Sequence, residues 1–229
     1  MKRTYIKDLF RSAPASGTEI AVCGWIKTIR NDKFIELSDG TCFQKLQVVV
    51  EKENLENYEE VVRQNVGASI RVKGTFVLTP EAKQPFEILA TSVFIEGAST
   101  PDFPIQKKAA SLEFLREQAY LRPRTNTFNA VFRIRSVLAQ AIHRYFADHD
   151  FIYVHTPIVT ASDAEGAGEM FQITTLDIDN PPKTDKGEVD YSKDFFGKKA
   201  NLTVSGQLNV ETFCMAFSNV YTFGPTFRA

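Results

Sequence analysis

Between residues 20 and 96 polar turn residues cut the chain into short β-branched and aromatic runs, and this punctuation constrains the fold more than any other feature. Ile20 to Ile29 reads Ile-Ala-Val-Cys-Gly-Trp-Ile-Lys-Thr-Ile, and Phe34 to Leu37 follows after the bridge Asn31-Asp32-Lys33. Side chains of these types fit a pleated, half-buried surface, so the two runs read as a hairpin. Ser38-Asp39-Gly40-Thr41 supplies a turn before a third strand, Leu46 to Val50. Leu55, Tyr58, Val61 and Val62 then recur at helical spacing, which predicts a short helix capped by Asn54 and reaching about Gln64. Ser69 to Leu78 and Phe86 to Ile95 are two further strands.

Five strands with a helix between the third and fourth is the element order of an OB-fold barrel. That frame commonly binds single-stranded nucleic acid on one face, although small barrels host many functions. Trp25 is assigned to its core. From Gly97 the pattern loosens, and Pro101 and Pro104 bracket Asp102-Phe103, as in an interdomain hinge. Thr125 or Asn126 can then cap a helix whose apolar residues, from Val131 to Phe146, keep helical spacing until Asp148-His149-Asp150. A strand from Phe151 to Val154 leads into Thr156-Pro157. Later come a strand from Asn201 to Val204, a helix from about Asn209 to Phe217 and a strand from Val220 to Phe223. This half reads as α+β with mostly antiparallel pairing. Residues 177–199, with Pro181, Pro182, Gly187 and Gly197, read as an exposed insertion. The expected domains are 1–98, a hinge at 99–124, and 125–229.

Composition sets limits on function. Lys and Arg number 27 against 28 Asp and Glu, a formal net charge of -1, so any RNA site must draw on a local cluster of cations. Cys23, Cys42 and Cys214 are odd in number and far apart, and none has a second ligand at zinc spacing; neither a disulfide framework nor a metal site is expected. No apolar run approaches the roughly 20 residues of a membrane helix, and Met1-Lys2-Arg3 leads into no signal-peptide core, which points to a cytoplasmic protein that does not engage membrane.

Two segments carry candidate chemistry. Ser162 to Phe171 sets Glu165 in a glycine-rich loop, and Val204-Ser205-Gly206-Gln207-Leu208-Asn209-Val210-Glu211 sets amides and a carboxylate at a helix start. A pocket for a free amino acid needs an acceptor-only group near the ammonium, which Glu165 could supply; a solvated acidic loop has the same composition.

The stretch Phe151-Ile152-Tyr153-Val154-His155-Thr156-Pro157, after a long helix, resembles motif 1 of the class II aminoacyl-tRNA synthetases. Tyr221-Thr222-Phe223-Gly224-Pro225-Thr226-Phe227-Arg228 resembles the opening of motif 2. With the barrel in front, the chain from about Tyr5 onward is similar to the aspartate, asparagine and lysine subgroup. The resemblance implies an OB-fold anticodon-binding domain followed by an incomplete class II antiparallel-sheet catalytic domain. It implies ATP and Mg2+ as substrate and accompanying metal, no tightly bound cofactor, and a homodimer in which Pro157 touches the neighbouring active site. Glu165 and Gln207 would contact the amino group of the bound amino acid, with Ser205 in the same binding segment. Arg228 would hold the amino-acid carboxylate and the α-phosphate of ATP. In the barrel, the resemblance makes Arg30, Phe34, Gln47 and Glu87 anticodon contacts, with Gln47 reading the middle base.

Aspartate enzymes of the subgroup place a lysine where this chain has Val210, and a buried substrate carboxylate without its cation is costly. Val210 and Glu211 therefore point to asparagine as the amino acid and its tRNA as the partner. Two other readings stay open: a non-catalytic tRNA-binding or regulatory remnant, and an aspartate ligase of relaxed tRNA specificity. In the family, motif 2 continues past the position of Ala229, and motif 3 follows it. The resemblance thus implies that this stretch by itself forms no adenylate and leaves sheet edges and apolar surface exposed.

Overall fold

The structure is a computed structural model that describes residues 2–162, 166 and 170–228. The chain folds as two compact units, Met1–Arg135 and Ser136–Ala229.

The first unit opens with a helix that the sequence pattern did not predict, α1 (Ile6–Arg11), whose Ile6 and Leu9 are buried one turn apart. Asp39, itself buried, serves the N-terminus of α1 from 33 residues away: its Oδ2 accepts from the Ile6 amide at 2.9 Å. Its Oδ1 accepts from the Thr41 amide at 2.9 Å, so one carboxylate ties the helix start to a turn. The strands are β1 (Glu19–Arg30), β2 (Phe34–Ser38) and β3 (Leu46–Val49), then β4 (Ser69–Leu78) and β5 (Phe86–Gly97). They close a barrel in the order β1-β2-β3-β5-β4, antiparallel except for β3 against β5. Asn31 and Asp32, both at positive φ, turn β1 into β2; these are side chains that tolerate the left-handed region.

Alternation with period two decides which residues face inward. Val22, Ile26, Ile35, Leu37, Val48, Val72, Phe76 and Ile88 are fully buried in one core. Two glycines let strands approach: a Cβ on Gly24 would lie 2.6 Å from the Ser38 carbonyl oxygen, and one on Gly74, opposite a bulge in β5, would meet the Leu89 carbonyl oxygen.

Two expectations fail here. The helix between β3 and β4 is only α2 (Tyr58–Val62), preceded by a 3-10 turn at Lys52–Asn54, and Asn54 does not cap it: its Nδ2 donates to Glu51 at 3.2 Å. Trp25 is not core. It lies on the outward side of β1 and is 41% exposed, with the Arg124 guanidinium 5.5 Å from its ring. The inward places around it belong to Val22 and Ile26, and an aromatic of that size finds a partner in a cation instead. Residues 99–124, expected as the hinge, contain α3 (Leu112–Glu117), where Ser111 Oγ accepts from the Phe114 amide, and a 3-10 turn at Arg122–Arg124.

Next is α4 (Asn126–Asp148), inside which the division between the units falls. Of the two candidate caps it uses Thr125, whose Oγ1 accepts from the Phe128 amide at 3.3 Å. The second unit also has β6 (Ile152–Tyr153), β7 (Val159–Thr160), β8 (Gln172–Ile173), β9 (Ala200–Leu202), α5 (Gln207–Phe217) and β10 (Val220–Tyr221). The antiparallel expectation holds for the sheet β7-β9-β8 but not for β6 and β10, which run parallel. That pair is flanked by aromatics: His143 Nδ1 meets the Tyr221 hydroxyl at 2.7 Å, and Phe146 stacks on Tyr221 at 4.4 Å.

Within the expected insertion, Asp194 is a buried anchor. It accepts from Thr174 Oγ1 at 2.7 Å, from the Thr175 amide and hydroxyl at 2.9 Å each, and from the Phe195 amide at 2.8 Å. Donation by these backbone and side-chain groups holds its carboxyl down at about 2. Around this anchor the segment is largely exposed, as at Ile178 and Phe195.

Candidate nucleic-acid interface and amino-acid pocket

The register of the barrel assembles the first site. Arg30 pairs with Phe34 across β1 and β2, Glu36 with Gln47 across β2 and β3, and Gln47 with Glu87 across β3 and β5. Because Ile35, Val48 and Ile88 point into the core, their neighbours Phe34, Glu36, Gln47 and Glu87 share the outer face. Gln47 is held at both ends. Its Oε1 accepts from Arg30 Nη2 at 3.2 Å, and its Nε2 donates to Glu87 Oε2 at 2.8 Å. Glu87 also accepts from Gln84 at 3.3 Å, and Arg30 lies 3.6 Å from Glu36.

All four barrel residues singled out from sequence line one cleft of about 1010 Å³. Glu36, Gln84 and Lys45 line it too and were missed. Glu36 could have been found from its position two residues after Phe34 on the same strand face, but Gln84 lies in a loop whose approach no local pattern shows. A half-buried aromatic beside an amide with a fixed donor and acceptor can stack on an unpaired base and read its edge.

The second site begins where β9 leads into α5. Ser205 Oγ accepts from the Gln207 amide at 3.1 Å, and Gln207 Nε2 donates to Glu211 Oε1 at 3.0 Å, one turn on. A Cβ on Gly206 would lie 2.5 Å from Thr156 Oγ1, so only glycine lets the residue before Pro157 pack against this helix start. Pro157 is exposed and lines a cavity of about 310 Å³ together with Asn209 and Lys198. The Phe227 amide donates to the Thr203 carbonyl at 2.9 Å, which ties the residue before Arg228 to the strand end leading into Ser205. Arg228 itself is exposed. Glu165 lies outside the described residues. Among the described residues no three His, Cys, Asp or Glu side chains gather as a metal site would require, and no helix is long and apolar enough to cross a membrane.

Two protein families match the chain. Residues 20–96 match the OB-fold nucleic acid binding domain, and residues 111–229 match the tRNA synthetases class II (D, K and N), just over half of the chain. The chain belongs to the class II tRNA synthetases of the D, K and N group. Within that family it is 59% identical to an asparagine–tRNA ligase of Acetivibrio thermocellus and 58% identical to one of Desulfitobacterium hafniense, over 100% of this chain and 50% of each relative. The chain thus spans about half the length of these curated relatives. Asparaginyl-tRNA synthetase from Pyrococcus horikoshii, solved with asparaginyl-adenylate, superposes with a TM-score of 0.81 at 22% identity over 100% of this chain and 49% of that one. This likeness supports the fold: an N-terminal OB barrel followed by class II synthetase architecture.

Proposed function

We propose that the chain serves the ATP-dependent ligation of asparagine to its tRNA, with residues 1–98 reading the anticodon and residues 125–229 contributing to amino-acid activation. The observation that carries the choice of amino acid is the Gln207–Glu211 hydrogen bond on α5, beside Val210 and without a cation at that position. A neutral carboxamide can donate to Glu211, whereas an aspartate side chain would be repelled by it and left without a counter-charge.

In the first step the asparagine carboxylate attacks the α-phosphate of ATP and pyrophosphate leaves. In the second a terminal ribose hydroxyl of the tRNA attacks the adenylate carbonyl and AMP leaves. The protein's part is positioning and charge stabilisation. Gln207 and Glu165 receive the ammonium end, and the planar Arg228 guanidinium bridges two anions that otherwise repel. Magnesium enters this reading only with the phosphates of ATP. On the barrel, Gln47 reads the middle anticodon base, Phe34 stacks, and Arg30 and Glu87 hold Gln47 and contact neighbouring groups. The exposed apolar residues of α4, among them Ile134, Val137 and Leu138, suit burial in a homodimer to which Pro157 contributes. A cytoplasmic setting fits these partners.

Asparagine-dependent ATP–pyrophosphate exchange, measured on the full reading frame, tests the chemistry. Glu211→Gln is expected to weaken discrimination against aspartate; aspartate transfer by the unaltered protein as fast as asparagine transfer would overturn the assignment.

A further inference from the structure

The base-reading cleft is continuous with a second one of about 620 Å³, and the two share Arg30, Glu36, Lys45 and Lys107 along their walls. The second cleft adds Lys27, Lys108 and Arg124, which brings cations from β1, from the segment after β5 and from the 3-10 turn at Arg122–Arg124 to one place. In a chain of net charge -1 this is a local concentration of positive charge.

Two independent features show that the cluster is built rather than incidental. First, the register of β1 slips between Ile26, opposite Leu37, and Thr28, opposite Glu36. Lys27 is the extra residue of this β-bulge, a device that re-aims a side chain out of the regular alternation. Second, its Nζ donates to the Arg124 carbonyl at 2.6 Å, while the Arg124 guanidinium is held over Trp25 at 5.5 Å and Phe103 at 5.7 Å. Burial, then the charges of Lys45 and Arg124, push the Lys27 ammonium below the ordinary lysine range. Among the described residues no carboxylate forms an ion pair with Lys27, Lys45, Lys107, Lys108 or Arg124; Glu36, the acidic wall residue, is 3.6 Å from Arg30. Like charges gathered without a counter-ion favour an anion between them.

We propose that this cleft holds the sugar-phosphate backbone of single-stranded RNA, with Lys27, Lys45, Lys108 and Arg124 as phosphate contacts adjoining the base-reading face. It deepens the anticodon reading of the barrel, and the two can fail separately. Phosphate contacts set affinity and its salt dependence without reading sequence, whereas the Gln47 side chain reads a base.

The test is binding of a fluorescently labelled hairpin RNA, its loop carrying the asparagine anticodon or altered middle bases, across a range of salt concentrations. Lys27→Gln and Lys108→Gln are each expected to weaken binding to every loop alike and to reduce the slope of log affinity against log salt by about 0.7, the value of one single-strand phosphate contact. Lys108 is exposed, so its variant keeps the test alive if Lys27→Gln disturbs the bulge, which circular dichroism would show. Gln47→Ala is expected to alter discrimination between loops and leave the slope unchanged. Unchanged slopes in folded lysine variants overturn the backbone site. Reduced slopes with loop discrimination intact in Gln47→Ala sustain it and overturn the base-reading role of Gln47.

Discussion

The two units of the chain use apolar residues to opposite ends. In the barrel, strand alternation sends Val22, Ile35, Val48, Phe76 and Ile88 into one core, and closure of β1 on β4 leaves no open edge. Among the described residues of the second unit the strands run to two or three residues, and the sheets have two and three strands. No residue of α4 or α5 is buried, although both are rich in apolar side chains, and Val137 and Met215 are 67% and 92% exposed. The same residue types therefore stabilise one unit and await a partner surface in the other. What differs is whether the element finds its complement among the described residues.

The most direct way to break this comparison is a pair of truncations. Phe76→Ala is expected to cost about 3–5 kcal/mol, as for a large aromatic removed from a closed core, while Val137→Ala on α4 should stay within about 0.5 kcal/mol. Denaturant unfolding followed by far-UV circular dichroism measures both. Equal costs would mean that α4 is packed after all.

A smaller effect is expected from Gly74→Ala, whose Cβ would meet the Leu89 carbonyl oxygen across β4 and β5. Strain of this kind destabilises by about 1–3 kcal/mol, and the loss should appear in the barrel amides by hydrogen exchange while amides of the second unit keep their rates. Gly206→Ala, which meets Thr156 Oγ1, should show the reverse pattern.

pH separates the units further. The Asp194 carboxyl sits at about 2, below its ordinary 3.8. Its stabilisation is therefore complete above about pH 4 and is lost as pH falls through about 2. Acid titration should loosen the Thr174 to Phe195 contacts, read by exchange of the Thr175 amide, and Asp194→Asn should remove that pH dependence. A Thr175 amide insensitive to acid in the unaltered chain would show that Asp194 is not the anchor.

The smallest expected change is at Gln207. Because both Gln207 and Glu211 are exposed, Gln207→Ala should alter stability by no more than about 0.5 kcal/mol. A larger loss would mean that the pair supports the second unit structurally and is not free to serve a ligand.

The barrel was legible because its strands carry a strong local signal. Every predicted strand from Ile20 to Ile95 matches an observed one to within two residues at its ends. The errors lie where a distant partner decides. Ile6, Leu9 and Phe10 have helical spacing, but six residues make a helix only because Asp39 holds its first amide. Asn54 had the right side chain for a cap and no helix to serve, since the chain turns to Asn57 before coiling. Trp25 looked like core by size, and the inward positions of β1 were already filled. At the candidate pocket, the family motifs singled out Ser205, Gln207 and Glu211, yet nothing local showed that Gly206 must make room for Thr156.

Periodicity by itself determined the five strands of the barrel, and the resemblance of the motifs to those of the class II synthetases implied the architecture that follows. Both signals lie in residues close together along the chain, the alternation within each strand and the order of residues within each motif. Only the tertiary structure decided that Arg30, Gln47 and Glu87 form one hydrogen-bonded row beside Phe34, and that a bulge turns Lys27 toward Arg124. Strand register and loop approach couple residues 40 to 97 positions apart, and no local pattern encodes which of the possible pairings closes the barrel.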